Sequence, residues 1–240
     1  MRLLLVTVGA VLLALLGWQM FGSKSAQPQR ERTALFTTLP ILWNESADLA
    51  GMLKPDQQPH WAKTLIGAGG QVVPLDILTS SSLKHLQFLV IAQPRPLSPN
   101  ENVELDAWVR GGGKLLLFAD PMLTEETIFA LGDKRRPADI VMLDPILKHW
   151  GLRLEFDSED EFTEGPAEMM GMAIPINVPG RLVATEPHCR AWDPGNLATC
   201  AIGKGRVMVL ADAAVLERSD PDGTRAEAVR QLLDGAFAVR

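Results

Sequence analysis

The stretch FLVIAQPRPLSPNENVELDAWVRGGGKLLLFADP, residues 88–121, contains a complete strand–helix–strand unit. Phe88 to Ala92 is a short unbroken apolar run, the pattern of a parallel strand covered on both faces. Ser98-Pro99-Asn100-Glu101 forms a capping box with Pro at the first helical position. Leu105, Trp108 and Val109 then fall at i, i+3 and i+4, giving the helix one apolar stripe. Gly111-Gly112-Gly113 stops the helix, and Lys114 to Asp120 reads as a second buried strand. Two strands joined through a helix lie parallel, with a right-handed crossover.

The same alternation extends outward. Upstream, a strand is expected over Ala34 to Trp43, and an amphipathic stretch from His60 to Ile66 ends at Gly67-Ala68-Gly69-Gly70. Val73, Leu75 and Ile77 alternate as on a strand with one buried face. Downstream, Asp144-Pro145 opens a short helix that ends at Gly151, followed by a strand from Leu152 to Phe156. Arg206 to Leu210 is another strand, and Thr224 with Glu227 reads as a capping box for a helix carrying Val229, Leu232, Leu233 and Ala236. Residues 157–178 follow neither period and read as a long surface loop. The fold class is α/β with a mostly parallel sheet.

Composition narrows the function. Of 240 residues, 23 are Lys or Arg and 29 Asp or Glu, a net charge of −6 that argues against a nucleic-acid binder. At 47% hydrophobic the chain is too apolar to be disordered. That average conceals one distinct segment. Leu3 to Phe21 is uncharged and spans roughly 28 Å as a helix, close to the ~30 Å of a bilayer core. A cleaved signal peptide is the competing reading, but the apolar stretch is long for one, and cleavage after Ala26 would place Lys24 where a small residue is needed. The expected organisation is therefore a transmembrane anchor at 1–22, a polar tether at 23–32 and a globular α/β domain at 33–240.

Flanking charge does not orient the anchor, since Arg2 opposes Lys24, Arg30 and Arg32. The two cysteines do. Asp193-Pro194-Gly195-Asn196 has strong turn chemistry, and a four-residue loop there sets Trp192 against Leu197 and Cys189 directly opposite Cys200. Opposed strand residues are close enough for a disulfide, which needs an oxidising compartment; the competing reading is two small buried thiols in a reduced protein. The soluble part is thus expected outside the cytoplasm, in the periplasm of a bacterial cell.

Residues Phe88–Pro121, Leu143–Leu154 (LDPILKHWGLRL) and Gly203–Asp212 (GKGRVMVLAD), about a quarter of the chain, resemble in order three segments of the extracytoplasmic domain of gliding-motility-type ABC transporter auxiliary proteins. The resemblance implies a three-layer, flavodoxin-like sandwich related to the class I glutamine amidotransferase fold. It also implies membrane attachment beside an ABC transporter permease.

Candidate chemistry is sparse. An amidotransferase-like site needs a cysteine on a tight strand-to-helix turn, and neither Gly-x-Cys-x-Gly nor Gly-x-Ser-x-Gly occurs. No catalytic residue and no cofactor is therefore assigned. Gly111-Gly112-Gly113-Lys114 runs from helix into strand, the opposite polarity to a phosphate loop. The acidic run Glu155, Asp157, Glu159, Asp160, Glu161 and Glu164 lacks the spacing of a calcium loop. Met169, Met170 and Met172 could hold a soft metal or line the loop, and the four histidines are scattered. The remaining candidates for ligand or partner binding are Gln93, Arg95, Asp120 and Asp212, at the carboxyl ends of strands, where open α/β sheets bind ligands. Three functions follow in order: a non-enzymatic accessory component of an ABC-type transport system, a diverged hydrolase or transferase using Asp120 or Asp212, and a metal-binding envelope protein built on residues 155–172.

Overall fold

A computed structural model describes residues 32–43, 45, 59–67, 70–156 and 164–238. The expected anchor at 1–22 and tether at 23–32 fall outside these residues apart from Arg32. Among the described residues no helix is long and apolar enough to cross a membrane.

The centre is a seven-stranded sheet. Its strands are β1 (Arg32–Thr37), β2 (Gln71–Pro74), β3 (Phe88–Ala92), β4 (Lys114–Phe118), β9 (Cys189–Trp192), β10 (Leu197–Ile202) and β11 (Gly205–Leu210), in the spatial order β2-β1-β3-β4-β11-β10-β9. The pairings among β2, β1, β3, β4 and β11 are parallel, whereas β10 runs antiparallel to both β11 and β9. The mixed α/β architecture with a mostly parallel sheet is as the periodicity predicts.

Every strand at the centre is buried on both faces, which is why β3 and β4 carry no polar alternation. Leu89, Ile91, Leu115, Leu117, Val207 and Val209 point into one apolar cluster, together with Leu105 and Val109 of α3 (Pro99–Arg110) and Ile146 and Leu147 of α4 (Asp144–His149). Val90, Leu116, Phe118, Met208 and Leu210 point into the other, with Ala62 and Ile66 of α1 (Trp61–Ile66) and Val229, Leu232 and Leu233 of α5 (Thr224–Phe237). Burying each such side chain contributes roughly 1.5–3 kcal/mol. The capping box of α3 forms as read: Ser98 Oγ accepts from Glu101 N, and the Glu101 carboxylate accepts from Ser98 N. Gly113 lets the β4 entrance lie on Trp108, whose ring atoms would stand 2.5 Å from an added Cβ.

Four expectations need correction. β1 ends at Thr37, six residues short of Trp43, because Thr37 Oγ1 takes the Leu39 amide and Pro40 cannot extend the ladder. β2 stops at Pro74, leaving Ile77 55% exposed rather than on a buried strand face. The Thr224–Glu227 capping box does not form. Gly223 is the N-cap at φ 76, and the first amides of α5 donate instead to Asp222 and Asp220. Residues 164–177 are not a loop but a hairpin of β6 (Glu164–Met169) and β7 (Met172–Asn177), turning at Met170-Gly171. Its alternation was there to read: Met172, Ile174 and Ile176 are buried and the residues between them are more exposed. Residues 157–163, with most of the acidic run, lie outside the described residues.

A second pair, β5 (Leu152–Glu155) and β8 (Arg181–Ala184), forms its own two-stranded sheet. The β9–β10 hairpin has the expected register, with Trp192 opposite Leu197 and Cys189 opposite Cys200. The disulfide is present, with a Cα–Cα distance of 4.1 Å.

Candidate functional site

Because β3, β4 and β11 are parallel and adjacent, the residues just past their carboxyl ends gather at one edge of the sheet. Gln93 follows β3, Asp120 follows β4 by one residue and Asp212 follows β11 by one residue. All three are fully buried. The structure thus brings three of the four predicted residues together.

Gln93 is a backbone surrogate. Its Oε1 accepts from Asp120 N at 3.0 Å, and its Nε2 donates to the carbonyls of Asp120 and Ala138 at 3.1 and 2.8 Å. Its own backbone sits at φ 42, in the left-handed region that costs a non-glycine residue energy. The Gln93 carbonyl accepts from Thr38 Oγ1, which in turn accepts from Ala138 N. This network ties the ends of β1, β3 and β4 to the irregular segment 121–143.

The two aspartates do similar work. Asp120 Oδ1 accepts from Met122 N at 2.8 Å, and Oδ2 accepts from Ala213 N at 3.0 Å. Asp212 Oδ2 accepts from Asn177 N at 2.8 Å, and Oδ1 accepts from Ala214 N. Each carboxylate therefore fastens two chain segments across the sheet edge, including the end of β7. Burial raises the Asp120 carboxyl to about 6, against the smaller opposing effect of its backbone donors. Burial, and then the charge of Asp120, push Asp212 well above the ordinary aspartate value.

Sequence reading missed the rest of this edge. Glu125 is raised to about 7, chiefly by burial, with Glu217 and Glu45 adding to the effect. It accepts from Arg218 N at 3.3 Å. Glu217 pairs with Arg225 at 2.6 Å, and its carbonyl accepts from Trp61 Nε1. His60, buried beside them, is lowered to about 4 by burial and by the charge of Arg218. Glu125, Glu217 and Glu45 come from unpatterned segments, so no spacing in the sequence marks them as neighbours.

Arg95, the fourth predicted residue, takes other partners. Its guanidinium donates twice to the Glu101 carboxylate, at 2.7 and 3.0 Å, and once to the Asp76 carbonyl at 2.7 Å. The Arg95 bond, more than the backbone donors, holds Glu101 down to about 2. An open pocket of about 590 Å³ lies beside this pair, lined also by Thr79, Ser98 and Asn100. With its charge matched by Glu101, Arg95 locks the β3–α3 connection rather than presenting a bare cation.

Chemically, the edge holds carboxyls whose proton affinity is raised by burial, yet the aspartate oxygens already accept backbone amides and face no solvent. Such an arrangement fixes loop geometry. Among the described residues no group of three or more His, Cys, Asp or Glu side chains could hold a metal. Met169 and Met172 are cross-strand partners buried in the same core as the apolar face of α5, while Met170 at the turn is 38% exposed.

Residues 60–160, less than half of the chain, match a protein family described as "ABC-type uncharacterized transport system". No curated protein matches the chain. Among solved structures, a cytoplasmic protein from Salmonella typhimurium LT2 is similar at a TM-score of 0.48 and 14% identity, over 74% of this chain and 86% of that one. An exo-β-1,4-mannosidase from Opitutaceae bacterium strain TAV5 aligns at a TM-score of 0.48 and 15% identity, over 89% of this chain and 36% of the enzyme. A β-galactosidase from Bacillus circulans sp. alkalophilus aligns at 0.46 and 9%, over 90% of this chain and 32% of the enzyme. Likenesses this remote carry none of those activities over to this chain.

Proposed function

We propose that the protein is a membrane-anchored, non-enzymatic accessory component of an ABC-type transport system, with residues 33–240 acting outside the cytoplasm. The observation that carries this reading is the family match over residues 60–160, which covers the strand–helix–strand unit and the β5 region. The apolar segment 3–21 supports membrane attachment, and the Cys189–Cys200 disulfide supports an oxidising compartment, which in a bacterium is the periplasm. Three layers of α, β and α around a mostly parallel sheet are consistent with a flavodoxin-like fold of the class I glutamine amidotransferase kind.

The use of the sheet edge counts against catalysis there. Open α/β sheets place ligands at this edge, but here Gln93, Asp120 and Asp212 spend their polar atoms on the chain itself. A hydrolase or transferase built on Asp120 or Asp212 would need those carboxyls to reach substrate. The partner is then a permease or another membrane protein of the transport system.

Affinity purification of the tagged full chain from native membranes in mild detergent tests the proposal. Co-purification of a multi-span permease, with its ATPase, is the expected result. Recovery of the chain without any transporter subunit would overturn it.

A further inference from the structure

The opposite edge of the sheet has a different character. β4, β9 and β11 begin there and β10 ends there, and a pocket of about 530 Å³ opens between their ends. Among the described residues, its walls carry Lys114, His188, Arg190, Lys204 and Arg206 and no carboxylate side chain. In a chain of net charge −6 this is a local reversal of sign, and a concave wall of like charge focuses its field on the opening.

The cations are built in rather than scattered. Arg190 is stacked over the Trp192 ring at 3.7 Å, and Lys204 is presented by the tight Gly203–Gly205 turn between β10 and β11. Among the described residues no ion pair neutralises Arg190 or Lys204. Lys114 donates to the carbonyls of Phe237 and Ala238, and burial, followed by the charge of Arg206, lowers its proton affinity. β1 starts at Arg32 on this same edge, separated from β4 by β3.

We infer that this pocket binds a phosphate group, held by Arg190, Lys204 and Lys114. A phosphate suits the site because it offers several acceptor oxygens to guanidinium and ammonium donors at once. Two carriers present that chemistry: the headgroup of an anionic phospholipid and a soluble phosphorylated compound. The lipid carrier rests on the proposed anchor at 3–21; the phosphate chemistry does not.

The test uses the full chain in nanodiscs and reads the acetylation rate of Lys204 by mass spectrometry, with exposed Lys84 as internal reference. In phosphatidylcholine discs, millimolar phosphate should slow Lys204 acetylation by about fivefold relative to chloride at equal ionic strength. Protection by phosphatidylglycerol discs without free phosphate would assign the lipid carrier, and protection by free phosphate alone the soluble one. Arg190→Ala should remove the protection while leaving the melting temperature unchanged. Equal acetylation in phosphate, phosphatidylglycerol and chloride would overturn the inference, as would full protection in Arg190→Ala. Carbonate washing of native membranes reads the anchor separately: release of the chain there, with phosphate protection intact, would sink the anchor and leave the pocket standing.

Discussion

Glu125 and Glu101 show how burial and pairing set opposite pH dependences in two carboxyls of one domain. Pairing with Arg95 lowers Glu101 to about 2 from 4.5, so its contribution is present above pH 4.5 and is lost as pH falls through 2. Glu125 behaves in reverse. Burial raises it to about 7 from 4.5, so the folded chain holds that proton more tightly than the unfolded chain does. Its stabilising contribution is complete below pH 4.5 and disappears as pH rises through 7. Gln at this position keeps an oxygen for the Arg218 amide and carries no charge to bury. Glu125→Gln is therefore expected to match wild type near pH 5 and to exceed it at pH 8, by on the order of 1 kcal/mol after allowance for partial solvent screening. Thermal unfolding at the two pH values checks this; an equal offset at both would mean that the carboxyl proton plays no part.

At the scale of elements, the β9–β10 hairpin is pinned by both its turn and its disulfide. The crosslink closes a separation of 11 residues, which in the chain-entropy account limits the unfolded state by about 3 kcal/mol. The double substitution Cys189→Ser with Cys200→Ser should lower stability by roughly that amount in oxidised protein, and reductant should have the same effect on wild type. Denaturant titration with and without reductant measures both. This hairpin was legible in the sequence because turn chemistry fixes register residue by residue. β3, β4 and α3 were legible for a related reason: continuous apolar runs and a complete capping box are local signals. The β6–β7 hairpin is less legible: Met172, Ile174 and Ile176 alternate, but Pro166 and Pro175 argue against a strand and the acidic run before it suggests a solvated loop. The Asp220 and Asp222 caps of α5 were hidden for a different reason. Gly223 in a left-handed conformation reverses the approach to the helix, and nothing at Thr224–Glu227 signals that. In the candidate site, parallel strand order was enough to align Gln93, Asp120 and Asp212, but the partners that consume their polar atoms come from irregular segments with no period.

For the molecule as a whole, parallel strand order imposes a polarity. Strand ends gather buried carboxyls and amide-holding loops at one edge, and strand starts gather Lys114, Arg190 and Arg206 at the other. In the proposed membrane-anchored arrangement, the cationic edge lies beside the tether, and a tether of ten residues reaches at most about 36 Å. That proposed arrangement keeps the domain close to the bilayer and to any permease within it. Lysines across its surface can be linked to neighbours in intact cells with an amine-reactive crosslinker that does not cross the inner membrane. Mass spectrometry of the linked peptides tests partner and location together. The predicted result is a set of links from residues 33–240 to an integral-membrane subunit of an ABC transporter. Links to cytoplasmic proteins alone, formed only with a membrane-permeant reagent, would contradict it.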